Sequence, residues 1–156
     1  MMFMQRSTKR VLHRTCWQLT PHFFSTLSGC DLLLASIRSN EDLAQVQINQ
    51  NRYDLDSHGK GEGRHPPAPP SVILIPSSSG DVSEILRLCN DNKIPIIPYG
   101  AGTSVEGHIS ALKKGTVSLD MKKFKHVGLP SDVILDDACI EVGAGVTRLE
   151  LNDHLR

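Results

Sequence analysis

The stretch Ile94-Pro-Ile-Ile-Pro-Tyr-Gly-Ala-Gly-Thr-Ser-Val-Glu-Gly-His108 joins an apolar run to a glycine-rich segment. Pro95 cannot donate to a β-ladder, so the run predicts a strand that starts at this proline or lies on a free edge. From Gly100 onward, three glycines and two hydroxyl residues fall within nine positions. Ligands of α/β sheets gather where parallel strands end. Glycines let successive N–H groups turn toward one centre, and at Gly100 and Gly102 the missing Cβ lets an anion approach the backbone. Thr103 and Ser104 add hydroxyl donors. Two readings stand on this pattern: a diphosphate cradle, or a glycine-rich turn with no ligand. Two familiar phosphate loops do not apply. The P-loop needs Gly-Lys-Ser/Thr, which is absent, and the dinucleotide fingerprint G-x-G-x-x-G needs glycine where Val105 stands. That fingerprint also needs a helix at once, whereas Ile109-Ser-Ala-Leu-Lys-Lys-Gly115 predicts a loop.

Upstream, Val72-Ile-Leu-Ile75 lies between Pro70 and Pro76 and predicts a strand covered on both faces. Ser77-Ser-Ser-Gly80 is a turn, and Asp81 with Glu84 three residues on predicts a capped helix. Val82, Ile85, Leu86 and Cys89 would form its apolar stripe, and Asn90-Asp-Asn92 its end. Strand, helix and strand make a βαβ unit. Further upstream, Asn40 before Glu41, Asp42, Leu43 and Val46 predicts a short capped helix over 41–50. Asp54 to Arg64 is polar and glycine-rich and predicts a solvated loop. Asp54, Asp56 and His58 alternate within it, but the nearby glycines favour solvation over a metal site. His65-Pro-Pro-Ala-Pro-Pro70 imposes an extended approach to the first strand.

Downstream, Thr116–Asp120 alternates as a strand and Met121–Lys123 turns. Phe124–Leu129 and Ala138–Val142 are further strand candidates around a loop at Pro130–Asp137. Gly143-Ala-Gly145 is a second glycine-rich turn, and Thr147 with Glu150 opens a final capped helix.

Composition narrows the function. The 156 residues carry 17 Lys+Arg and 17 Asp+Glu, which excludes a strongly basic nucleic-acid binder. No run approaches the roughly 18 apolar residues of a spanning helix. Four cysteines without a CxxC pair make neither a disulfide scaffold nor a zinc site. If cleavage near Phe23–Cys30 removes Cys16 and Cys30, Cys89 and Cys139 remain as buried thiols. The charge is unevenly spread. Residues 1–30 hold Arg6, Lys9, Arg10 and Arg14 and no acid; subtracting those four leaves 13 bases against 17 acids. On a helix, Arg6, Lys9, Arg10, His13 and Arg14 share one face, with Met4, Val11, Leu12 and Leu19 opposite. This is the pattern of a mitochondrial transit peptide.

Taken together, Pro98-Tyr-Gly-Ala-Gly-Thr-Ser-Val-Glu-Gly-His108, Pro70-Ser-Val-Ile-Leu-Ile-Pro76 and Gly143-Ala-Gly-Val-Thr147 resemble the vanillyl-alcohol-oxidase-type (PCMH-type) FAD-binding domain. The Glu106-Gly107-His108 ending is most similar to the mitochondrial D-lactate dehydrogenase (cytochrome) branch, beside glycolate oxidase. The resemblance implies an α+β fold, with a βαβ-containing first subdomain and the start of a second. Residues 1–30 would be a transit peptide, 31–65 an N-terminal helix and loop, and 66–156 part of the FAD domain. Gly100, Ala101, Gly102, Thr103, Ser104 and Gly107 would line the FAD diphosphate with His108 beside them, and Gly143 and Gly145 would approach the flavin. The implied reaction is oxidation of a D-2-hydroxy acid, with D-lactate giving pyruvate, and electrons passing to cytochrome c or another carrier. In that family the catalytic groups and metal-binding histidines lie in a C-terminal half, so no catalytic or metal residue is assigned here. The 156-residue chain alone is therefore expected to turn over little substrate. A non-catalytic remnant and an alkylglycerone-phosphate synthase are the alternatives; the basic N-terminus favours the dehydrogenase over the latter.

Overall fold

The computed structural model describes residues 28–129 and 139–156. The expected transit peptide, up to residue 27, and the loop Pro130–Asp137 lie outside the described residues. Helix α1 spans Gly29–Ser39, β1 Gln47–Asn49, α2 Arg52–His58, β2 Val72–Ile75, α3 Ser79–Asp91, β3 Ile96–Tyr99, β4 Val117–Asp120 and α4 Arg148–His154. The class is α+β, as expected.

The four strands form one sheet in the order β1-β2-β4-β3. β2 and β3 both run parallel to β4, and β1 pairs antiparallel to the other side of β2. The βαβ unit is therefore present, but β4 lies between its two strands. β3 is an edge strand, which is why Pro98 can stand inside it opposite Leu119 without breaking an interior ladder.

Alternation divides the sheet into two unlike faces. On one face Val72 and Leu74 of β2 join Val117 and Leu119 of β4 in the main core. Leu33, Leu34 and Ile37 of α1 and Ile85 and Cys89 of α3 cover them, and the two helices pack together. Full burial of each such aliphatic side chain contributes about 1.5–3 kcal/mol relative to exposure. The other face carries Ser118 and Asp120, both buried although polar.

Several expectations are corrected. Residues 41–50 do not form a helix: Asn40 does cap, accepting from the Asp42 N–H, but only a 3-10 turn over Glu41–Leu43 follows. Gln45-Val-Gln-Ile-Asn49 also alternates with period two, and pairing with β2 draws it into a strand. An additional helix, α1, precedes it, capped reciprocally by Ser28 and Asp31. Cys30 is buried in the core cluster, so the folded unit overlaps the expected 1–30 segment. The loop expected from Asp54 begins instead as helix α2, capped by Asn51. The cap of α3 is Ser78 with Asp81 as its reciprocal partner, one turn earlier than Asp81 with Glu84. Burial alone would raise the Asp81 pKa, but bonds from the Ser77 and Ser78 N–H groups and the Ser78 hydroxyl carry it below the ordinary carboxylate range. Leu86 is 44% exposed and leaves the stripe to Leu88, because it stands about 100° round the helix from Ile85. Cys139 is exposed rather than buried, whereas Cys89 is buried and its thiol is pushed up to about 11 by desolvation and by Cys30.

Beyond the sheet, Val127 and Val142 form an antiparallel bridge, supported by bonds from the Gly128 N–H to the Glu141 carbonyl and from the Gly143 N–H to the His126 carbonyl. The two expected strands thus meet, but only as a short ribbon. α4 begins as expected at Thr147 with Glu150 as reciprocal partner.

Candidate functional site

The chain leaves β3 at Tyr99 and enters the segment Gly100–His108, which closes where Ile109 is buried. It therefore sits at the carboxyl end of a parallel strand. Gly102 and Gly107 adopt φ of +74° and +75°, a left-handed conformation that disfavours any Cβ. Among the described residues, no acceptor bonds the backbone amides of Ala101 through Gly107. The first amide of the segment to be satisfied is that of His108, which donates to Ser104 Oγ at 3.3 Å. The same hydroxyl lies 3.2 Å from His108 Nδ1, so Ser104 and His108 form a clasp across the loop. Thr103 and His108 are exposed.

The loop is held from behind by the segment expected to be solvated. The Glu62 N–H donates to the Ser104 carbonyl at 2.9 Å. A Cβ on Gly61 would come within 2.6 Å of the Ser104 oxygen, and one on Gly63 would collide with the Val105 oxygen. The His65 ring packs on Gly107, 3.0 Å from where a Cβ would stand. These glycines allow one backbone to pass closely over another. They do not mark a loose loop.

The second glycine turn borders the first: the Ala144 carbonyl oxygen lies 3.7 Å from the position of a Cβ on Gly100. Gly143 and Gly145 themselves face chain rather than open space. A Cβ on Gly143 would strike the Phe124 carbonyl, and one on Gly145 the Met121 carbonyl. Their amides are bonded to the His126 and Phe124 carbonyls. Lys125 pairs with Glu150 at 2.7 Å and, with the Thr147 N–H and hydroxyl, holds that carboxyl at about 2.

Below the loop lies a polar cluster that sequence reasoning missed. His58 Nδ1 is 2.9 Å from Ser118 Oγ, its Nε2 is 3.7 Å from Asp120 Oδ2, and its ring stacks on Tyr99. Lys122 reaches the same carboxylate at 3.4 Å. Burial lowers the His58 pKa; Asp120 and Asp54 oppose the shift and Lys122 adds to it. Burial and Asp120 raise that of Tyr99, offset in part by the Ser57 hydroxyl. The cluster spans residues 58 to 120, so no local motif announces it. The one signal was Ser118 and Asp120 on a single face of a strand that is otherwise apolar.

No group of three or more His, Cys, Asp or Glu able to hold a metal occurs among the described residues, so Asp54, Asp56 and His58 do not converge on one. The run of unbonded amides, the two left-handed glycines and the Thr103 hydroxyl fit a diphosphate: several donors, and no side-chain acid drawn into the clasp.

A family model described as FAD binding domain matches residues 70–156. The mitochondrial D-lactate dehydrogenase (cytochrome) 1 of Saccharomyces cerevisiae is 37% identical over 126 residues, which are 74% of this chain and 21% of that protein. The Arabidopsis thaliana D-lactate dehydrogenase (cytochrome), mitochondrial, is 43% identical over 86 residues, 55% of this chain and 14% of that one. The alkyldihydroxyacetonephosphate synthase of Dictyostelium discoideum is 33% identical over 87 residues, 54% and 14% respectively. This chain therefore spans about a fifth or less of the length of these curated relatives. Among solved structures, an alkyldihydroxyacetonephosphate synthase superposes with a TM-score of 0.64 at 23% identity, covering 80% of this chain and 24% of that one. A p-cresol methylhydroxylase superposes with a TM-score of 0.59 at 21% identity, covering 88% and 25%. These two likenesses speak to the fold alone.

Proposed function

The chain belongs to the FAD-binding domain family, and on that premise we propose that residues 100–108 hold the diphosphate of FAD in an oxidoreductase acting on a D-2-hydroxy acid. The observation that carries this is the array of seven consecutive amides, from Ala101 to Gly107 at the end of β3, without an acceptor among the described residues. In this reading the amides of Ala101, Gly102, Thr103, Ser104 and Gly107 point donors at the paired phosphates, and the Thr103 hydroxyl adds another. Gly100 keeps the entry to the turn open. Ser104 is committed to His108, so it shapes the loop, and the exposed His108 ring borders the ligand. Gly143 and Gly145 bring their turn to the same edge, and the Ala144 carbonyl is the nearest group of that turn to Gly100.

When bound, FAD would accept the electrons of the substrate and pass them on. The dehydrogenase names among the relatives favour D-lactate as substrate, which on oxidation gives pyruvate, and a cytochrome or another carrier as acceptor. The groups that clamp an anionic substrate and take its proton are assigned to none of the residues in this chain. The acid-free basic segment at 1–30, with the mitochondrial names of the relatives, supports a mitochondrial location. An alkylglycerone-phosphate synthase is the second reading, favoured by the Dictyostelium relative.

Titration of the purified chain with FAD by calorimetry tests the cofactor. Saturable heat that excess ADP suppresses supports the reading, and no heat with folded protein refutes it. A polypeptide of the relatives' length carrying this segment should then reduce cytochrome c with D-lactate. Ether-lipid formation without D-lactate oxidation would favour the second reading.

A further inference from the structure

The polar cluster under the glycine loop is not used by the diphosphate reading, yet it touches the loop at its tightest point. Tyr99 is the last residue of β3. A Cβ on Gly102 would collide with the Tyr99 hydroxyl and Cζ, so the phenol ring is the floor on which the left-handed turn rests. That ring is stacked against His58, with ring centroids 3.7 Å apart and planes inclined by 16°. His58 is in turn held by Ser118 and faces Asp120, both on β4. The side chains of His58 and Asp120 are 11% and 5% exposed, so neither is a surface group that happens to lie nearby.

We propose that His58 is a positioning residue for the diphosphate loop. By stacking on Tyr99 it fixes the ring beneath Gly102, and so sets the direction of the amides from Ala101 to Thr103. The ligand in this inference rests on the FAD reading, but the chain of contacts from His58 through Tyr99 to Gly102 does not. A histidine that only filled space between α2 and the sheet would affect stability and leave the loop alone. Stacked rings attract each other beyond the area they bury, which favours one ring rotamer over another.

The charge state of His58 provides a handle. The groups facing it are Asp54 on its own helix, Ser118 and Asp120 on β4, Tyr99 on β3, and Lys122 in the turn after β4. Lys122 lies on the carboxylate that would otherwise hold a proton on the imidazole. Burial, reinforced by Lys122, keeps the imidazole neutral at neutral pH, and this neutral ring is the form stacked on Tyr99; protonation on acidification disturbs the floor of the loop.

The test uses the 156-residue chain, amide NMR without ligand, and FAD binding by calorimetry. His58→Asn, which can still bond Ser118 but has no ring to stack, should shift the amide resonances of Ala101, Gly102 and Thr103 and weaken FAD binding by about tenfold, or ~1.4 kcal/mol. His58→Phe, which restores a flat ring, should bring both readouts back toward the native values. In the native chain, the Gly102 amide should titrate together with the His58 imidazole as pH falls. Should His58→Asn fail to fold, that titration still decides. Loop amides that ignore His58 titration, or an Asn variant with native loop resonances, would overturn the proposal. If the native chain bound no FAD while the loop still followed His58, the cofactor reading would fail and the positioning role would stand.

Discussion

The chain has two glycine-rich turns at one edge of the structure, and they use glycine for opposite reasons. In Gly100–Gly107 the glycines at 102 and 107 are left-handed, and the amides around them have no acceptor among the described residues. In Gly143–Gly145 neither glycine is left-handed, both amides are bonded, and the missing Cβ atoms make room for the carbonyls of Met121 and Phe124. The first turn leaves its donors without an acceptor among the described residues; the second presses chain against chain. Glycine enrichment by itself signals close approach to a backbone, and only the neighbours say whether a ligand or another strand approaches.

The sharpest way to break this contrast is to add a methyl group at each place. Gly145→Ala drives a Cβ into the Met121 backbone, which has no flexible end to yield. We expect a loss of about 3 kcal/mol and a melting temperature lower by more than about 10 °C, read by thermal unfolding. An unchanged melting temperature with lost FAD affinity would place Gly145 with the ligand instead. Gly102→Val comes next. Its Cβ meets the Tyr99 ring in a left-handed conformation, so FAD affinity should fall by about 100-fold, or ~2.7 kcal/mol, in calorimetry. Its melting temperature should fall less than that of Gly145→Ala; the reverse order would erase the distinction.

A smaller effect concerns pH. The folded pKa of His58 is lowered, so the unfolded chain takes up this proton first. The resulting stability is complete above the ordinary histidine value of about 6.5 and is lost as pH falls from there through the folded value. Denaturant midpoints measured between neutral and mildly acidic pH should decline in the native chain and flatten in His58→Phe. An equal slope in both would assign the decline to other groups. The smallest expected change is Thr147→Ala. It removes the hydroxyl that accepts from the Glu150 N–H just after the second turn and should cost about 1 kcal/mol, with FAD affinity unchanged. A loss of affinity there would extend the ligand site into the second turn.

Much of the fold was legible because its signals are local. Val72–Ile75 reads as a buried strand from four aliphatic residues between prolines, and all four are buried. Thr147 and Glu150 form the cap their spacing requires. Residues 41–50 misled because Leu43 and Val46 stand three apart, as on one helix face, while Val46 and Ile48 stand two apart, as on one strand face, and a partner strand decided between the two spacings. At the site, the glycine-rich loop and its place after a strand could be read from the sequence, whereas the left-handed turns at Gly102 and Gly107 came from the structure. The loop's supports could not be read either: Gly61, Gly63 and His65 lie about forty residues away, and His58 even further from Ser118.

From the amino-acid order alone came β2 and β3 with their prolines, the cap of α4 and a glycine-rich segment following β3. Each follows from backbone freedom or from neighbours within a turn or two. Tertiary structure alone decided that β4 divides β2 from β3, that the second pair of glycines faces chain, and that a buried imidazole stands under the loop. Those outcomes depend on which distant surfaces exclude water together, and burial of that kind leaves no periodic mark on the residues it joins.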